Sequence, residues 1–207
     1  HPGVRLTVLA RPGDVKVILV AESTDAEGLR AAADAVADAL GEHVYARDDS
    51  SLATAVIRDA RKAGVRIACA ESCTGGLLAA ALTGVPGASE VFAGCAVTYE
   101  NRAKVTLTHV PDELLQRFGA VSREVALAMA VGAREVFDVD LSVSITGIAG
   151  PTGGSAEKPV GLVWFGVADG DHSFAYERRF PAMGREGIRE RSVSWALDLL
   201  RNRIRLR

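Results

Sequence analysis

The spacing of apolar and polar positions divides the chain near residue 48. Before that point, Val4–Leu9 and Val15–Ala21 read as two strands joined by the turn sequence Arg11-Pro12-Gly13-Asp14. An alanine-rich helix, Asp25–Leu40, is stopped by Gly41, and His43–Tyr45 adds a short strand. The polar run Arg47-Asp48-Asp49-Ser50 follows as a linker. Residues 1–48 therefore read as a small β-β-α-β unit with little apolar material for a core.

Residues 49–207 alternate helix and strand periods. Ser51–Lys62 is helical, and the apolar run Val65–Cys69 is a buried strand. A tight turn, Ala70-Glu71-Ser72-Cys73-Thr74-Gly75-Gly76, leads into a helix over Leu77–Leu82. Val91–Thr98 is β-rich, and Val110–Phe118 is a short helix ended by Gly119. Ser122 caps a helix whose apolar stripe is Val125, Met129, Ala133 and Val136. Leu141–Thr146, Val160–Ala168 and Phe174–Phe180 read as strands, and a last helix carries Ile188, Trp195, Leu199 and Leu200 on one face. Alternation of this kind predicts a three-layer α/β/α domain, preceded by the small α+β unit. The paired strands after Pro159, with no helix between them, predict a mixed sheet.

Composition narrows the function classes. Hydrophobic residues make up 48% of the 207 positions and charged residues 24%, the profile of an ordinary globule. A formal charge of −2 gives no broad attraction to nucleic acid or anionic membrane, so any anion site must be local. No apolar run has the length of a membrane span and no signal peptide opens the chain, so a cytoplasmic location is expected. The chain opens on His1 and reads as part of something longer. Cys69, Cys73 and Cys95 are odd in number and lack CxxC spacing, so neither a zinc site nor a disulfide framework is expected.

Three polar loops follow three predicted strands, and loops after the carboxyl ends of strands in open α/β sheets converge on ligands. In the first, Glu71–Gly76, Ser72 is either a nucleophile beside free helix-start amides or a plain helix cap; Cys73 is a rival nucleophile. The second runs Thr98-Tyr99-Glu100-Asn101-Arg102-Ala103-Lys104. Lys104 is either a surface lysine or, when desolvated and neutral, a base for serine, with Tyr99 relaying its proton or holding it in place. The third, Thr146–Gly154 followed by Glu157-Lys158-Pro159, has four glycines between Gly147 and Gly154. It is either a flexible connector or a backbone cradle for phosphate; it matches neither a Walker loop nor GxGxxG. The histidines are scattered, which leaves a Ser-His-Asp triad without support.

From about Ser51 onward the chain resembles the CinA C-terminal domain family, the nicotinamide mononucleotide deamidases. The matching residues are Ala70–Gly76, Tyr99 with Asn101 and Lys104, and Thr146–Pro151 with Glu157–Gly161. The resemblance implies hydrolysis of a carboxamide on a phosphorylated pyridine nucleoside, without metal or cofactor. Carried over residue by residue, Ser72 is the nucleophile, Lys104 the base, Tyr99 its partner, and Thr146 lines the site. Cys73, Thr74, Gly75, Gly76, Asn101, Gly147, Gly150 and Gly153 surround the substrate, and Arg185 meets its phosphate, with Arg189 as a second candidate. The family often reads Gly-Asp-Arg before the last helix; here Met183-Gly184-Arg185 keeps the arginine and lacks the carboxylate. The resemblance also implies a homodimer. Residues 1–48 resemble the KH-like connecting domain of full-length CinA proteins, whose earlier domain is absent here; lacking GXXG between basic residues, they are not expected to clamp nucleic acid. The alternative from another class is a non-catalytic nucleotide-binding or regulatory module of a CinA-like competence/damage-inducible protein.

Overall fold

The computed structural model describes residues 3–11, 13–21, 26–170 and 172–207; the expectations for His1, Pro12 and Asp25 lie outside them. The chain divides into two compact units, His1–Ser51 and Leu52–Arg207.

In the first unit, β1 (Val4–Arg11) and β2 (Asp14–Ala21) form an antiparallel hairpin with Val4 opposite Ala21 and Arg11 opposite Asp14. Helix α1 (Ala26–Leu40) follows, then a single 3-10 turn over Gly41–His43. The strand expected at His43–Tyr45 does not form. The Val44 amide closes the 3-10 turn on the Gly41 carbonyl at 3.1 Å, and the Tyr45 hydroxyl donates to Asp14 Oδ1 at 2.6 Å. With Gly41–His43 wound into the 3-10 turn and the Val44 amide closing it, the described elements of the unit are β-β-α.

The second unit is a three-layer α/β domain. Its five-stranded sheet runs in the order β4-β3-β5-β6-β7, with β3 (Ile67–Glu71), β4 (Phe92–Val97), β5 (Leu141–Gly147), β6 (Leu162–Asp169) and β7 (His172–Arg179). β3 pairs in parallel with both β4 and β5, while β6 and β7 are antiparallel additions, so the sheet is mixed as the pattern predicts. The period of two along each strand sorts side chains between the two faces. Ile67, Cys69, Leu141, Val143 and Ile145 pack against α2 (Leu52–Ala63), α3 (Leu77–Thr83) and α7 (Gly184–Arg205). Ala70 and Ala96 pack under α5 (Asp112–Phe118) and α6 (Arg123–Val136).

Connectivity places the site. The chain leaves β3 for β4 through α3 and leaves β4 for β5 through α4 (Asn101–Thr108), α5 and α6, so β3 has a parallel neighbour on either side. The carboxyl ends of the three parallel strands lie along one edge, where open α/β sheets bind ligands.

One correction bears directly on that edge. The polar run Thr98–Lys104 is not a loop throughout: Asn101 begins α4, which carries Lys104 inward. Its eight residues have too little apolar character to show a stripe, and tertiary contact with α6 defines the helix instead. That contact depends on Gly132, where a Cβ atom would stand 1.8 Å from the Thr108 carbonyl oxygen. Gly132→Ala is therefore expected to force α4 off α6 and to lower stability by roughly 1–3 kcal/mol, the usual cost of overpacking. Urea unfolding checks this, and an unchanged midpoint would mean that α4 is not held by this contact.

Candidate active site

β3 ends at Glu71, and its backbone continues one residue further along β5, with the Ser72 amide donating to Ile145 O at 2.9 Å. The chain then turns: the Gly75 amide closes on Ser72 O at 3.1 Å, and Gly75 and Gly76 take positive φ angles of 60° and 97°. Glycine adopts such angles without the Cβ clash other residues meet there, and they let helix α3 start directly above the strand end.

Of the two readings of Ser72, the helix cap falls instead to Glu71. Its carboxylate is completely buried and accepts the amides of Gly76 (3.0 Å) and Leu78 (3.1 Å) on Oε2 and of Ala79 (2.8 Å) on Oε1. A negative charge thus answers the unpaired amides and the positive end of α3. Glu71 was missed as a functional candidate because caps are sought just before a helix, and this one reaches up from the strand below.

Relieved of capping, the Ser72 hydroxyl lies 3.1 Å from Lys104 Nζ. Lys104 Nζ also donates to the Thr98 carbonyl at 2.7 Å, and Thr98 itself is tied back to β3 by its amide on Glu71 O at 2.7 Å. The whole lysine is 0% exposed. Burial lowers its pKa from the ordinary 10.5 to about 8, because a charged amine loses its water there. Cys73, also buried, goes the other way: burial pushes its thiol up to about 12, which argues against it as a thiolate nucleophile.

The other site residues fall into distinct roles. The Tyr99 ring is exposed, at 61%, and its hydroxyl accepts from Arg185 Nη2 at 2.9 Å. The structure thus joins Tyr99 to Arg185 rather than to Lys104, whose partners are Ser72 and Thr98. Arg185 Nη1 donates to Gly150 O at 2.9 Å, so Arg185 links the second loop to the third. Arg189 spends Nε on Cys73 O (3.2 Å) and Nη2 on Thr74 O (2.7 Å), which ties α7 to the turn. Thr146 is buried, its hydroxyl donating to Ala120 O at 2.7 Å, and so supports the wall between β5 and the 119–122 segment. The Thr74 hydroxyl is enclosed without a hydrogen-bond partner among the described residues. Asn101 and Gly153 are exposed, and Gly147 is half-buried against Val163. Lys158 Nζ reaches Phe118 O (2.7 Å) and Val121 O (2.8 Å), pinning the end of the glycine-rich loop.

This is an open-sheet α/β protein with a serine–lysine pair at a strand-to-helix turn. Residues 49–204 match the CinA C-terminal domain family, and the chain belongs to it. It is 47% identical over 194 residues to a CinA-like protein of Synechococcus sp. (strain RCC307), covering 91% of this chain and 46% of that protein. It is 43% identical over 208 residues to a CinA-like protein of Koribacter versatilis, covering 99% and 50%. The chain thus spans about half the length of the curated relatives it matches. Among solved structures it is similar to the competence/damage inducible protein CihA of Agrobacterium tumefaciens, with a TM-score of 0.70 and 46% identity over 72% of this chain and 91% of that one. A CinA superfamily protein from Klebsiella pneumoniae gives a TM-score of 0.72 and 31% identity over 75% and 97%. Among the described residues, no helix is long and apolar enough to cross a membrane.

The raised thiol pKa of Cys73 has a direct chemical consequence. Iodoacetamide at pH 8 is expected to leave Cys73 unmodified until the protein is unfolded, as read by peptide mass spectrometry. Rapid labelling in the native state would restore Cys73 as a nucleophile candidate.

Proposed function

We propose that the domain hydrolyses the carboxamide of nicotinamide mononucleotide to nicotinate mononucleotide and ammonia. The observation that carries this reading is the 3.1 Å contact between Ser72 Oγ and a completely buried Lys104 amine. As the neutral amine, Lys104 turns its lone pair to the Ser72 hydroxyl while one N–H still serves Thr98 O. It removes the Ser72 proton as Oγ attacks the carboxamide carbon, then returns that proton to the departing ammonia. Water repeats the sequence on the acyl-enzyme and releases the carboxylate.

The oxyanion needs an amide donor. Gly75, Gly76 and Leu77 already give theirs to Ser72 O, Glu71 Oε2 and Thr74 O, and Thr74 is wholly enclosed. This leaves Cys73, the residue directly after the nucleophile, as the donor. For the phosphate, Arg185 is preferred over Arg189, whose guanidinium is engaged with the turn carbonyls. Arg185 also spends one N–H on Gly150 O and one on Tyr99, but it is exposed where Arg189 is half-buried, so its three remaining donors are open to an anion.

An ammonia-release assay tests the reading across nicotinamide mononucleotide, nicotinamide riboside and nicotinamide. The mononucleotide should be hydrolysed, and the riboside should have a kcat/KM about ten- to a hundredfold lower, because a charge-assisted contact contributes roughly 1.5–3 kcal/mol. Equal efficiency on both would remove phosphate binding from the account, and no ammonia from any of the three would remove the activity.

Ser72→Ala should abolish turnover with the fold retained. Lys104→Arg should still bind nucleotide but lose most turnover, because arginine stays charged throughout this range. Since the base works only when deprotonated, the wild-type rate should rise with pH and reach half its plateau near 8, the pKa of Lys104. Full activity of Lys104→Arg with an unchanged pH profile would make Lys104 an electrostatic anchor rather than the base.

A further inference from the structure

Strand geometry brings Cys69, Glu71 and Cys95 together on one face of the sheet. Cys69 and Glu71 stand two residues apart on β3 and so point the same way. Cys95 is the register partner of Cys69 on the parallel strand β4, which puts its side chain on that same face. The two sulfurs and a Glu71 carboxylate oxygen lie within 4.8 Å of one another, and Cys95 Sγ donates to Glu71 Oε1 at 3.4 Å. We propose that these three side chains form a binding site for a thiophilic divalent cation of the Zn2+ class, with a fourth position left for water.

The spacing suits the coordination. Tetrahedral zinc with Zn–S near 2.3 Å and Zn–O near 2.1 Å has S···S edges of about 3.8 Å and S···O edges of about 3.5 Å. Contacts between 3.4 and 4.8 Å therefore need to close by no more than about 1.3 Å. The carboxylate has a lone pair for the task. Oε2 receives the Gly76 and Leu78 amides, while Oε1 receives the Ala79 amide and the Cys95 thiol proton. The cation takes the place of that proton, so Glu71 keeps its hold on α3.

The charge balance is also favourable. One dication enters, the two S–H bonds break, and two protons leave to solvent as two metal–sulfur bonds form. The three side chains carry one negative charge before, and one net negative charge together with the cation afterwards. An enclosed site therefore gains no net charge, which is what makes ion binding in a protein interior costly. Burial, Cys95 and Glu71 nonetheless raise the Cys69 thiol pKa well above its ordinary value, so the cation has to displace a firmly held proton. Entry is from the side of Cys95, which is only half-buried on the edge strand β4, whereas Cys69 is completely buried. Spacing rules built on CxxC miss such a site because its ligands sit at i and i+2 on one strand and opposite on the next.

The test uses the reduced full chain and Cd2+ as a spectroscopic stand-in, since thiolate–cadmium bonds absorb in the near ultraviolet. The expected result is saturation at one equivalent, release of two protons per cation at pH 7, and displacement by Zn2+. Cys95→Ala and Cys69→Ala should each weaken binding at least tenfold and halve the absorption, while Cys73→Ala should leave both unchanged. Circular dichroism establishes that the variants fold. If Cys69→Ala does not, Cys95→Ala on the partly exposed edge strand decides alone. Absence of saturable absorption at micromolar Cd2+, undiminished absorption and affinity in Cys95→Ala, or their loss in Cys73→Ala would overturn the proposal. None of these readouts involves turnover, so they stand or fall separately from the amidase reading.

Discussion

An amine without water around it is the constraint on which the rest of this domain depends. Lys104 is completely enclosed, and among the described residues its nitrogen bonds to the Ser72 hydroxyl and the Thr98 carbonyl. Burial lowers its pKa to about 8, opposed in part by Cys73, and no carboxylate of the described residues contributes to hold it charged. The displacement from the ordinary value corresponds to about 3 kcal/mol in favour of the neutral form. A lysine in that state serves as a proton acceptor near neutral pH, which a surface lysine does not.

Much of the surrounding architecture keeps that contact in place. Glu71 draws the start of α3 down onto the end of β3, and Arg189 holds the Cys73 and Thr74 carbonyls from α7. The turn carrying Ser72 is therefore gripped from below by an anion and from the side by a cation, each bonded to main chain. On the opposing side, Gly132 lets α4 lie against α6, and α4 delivers Lys104. Ser72 and Lys104 are thus each held by hydrogen-bonded or closely packed helices and strands, the kind of support that preorganised catalysis requires.

The parts of this arrangement that arise from local pattern were legible in the sequence. The strand–turn–helix over Val65–Leu82, the mixed sheet and the α6 stripe through Val125, Met129 and Ala133 follow from periodicity and turn chemistry, and the structure has them; Val136, read as the end of that stripe, is instead exposed at the helix terminus. What pattern alone did not reveal comes from contacts between distant segments. Helix α4 has no apolar stripe, so its residues read as loop until α6 packs on it. Glu71 caps from a strand, where no capping rule looks. The link from Tyr99 to Arg185 joins residues 86 positions apart, and sequence spacing instead suggested the near neighbour Lys104 as its partner. The Cys69–Cys95 pairing likewise depends on strand register, which becomes visible only once β3 and β4 are aligned.

The central claim is that Lys104 loses its proton near neutrality, and it is open to direct observation. Lysine labelled with 13C at the ε carbon reports protonation of each amine through its chemical shift. Comparison with Lys104→Arg assigns the resonance. A titration of Lys104 with a midpoint near pH 8, well below that of the other lysines, is the predicted result. A Lys104 resonance that stays in its protonated position up to pH 10 would contradict the account, because Ser72 would then have no base beside it.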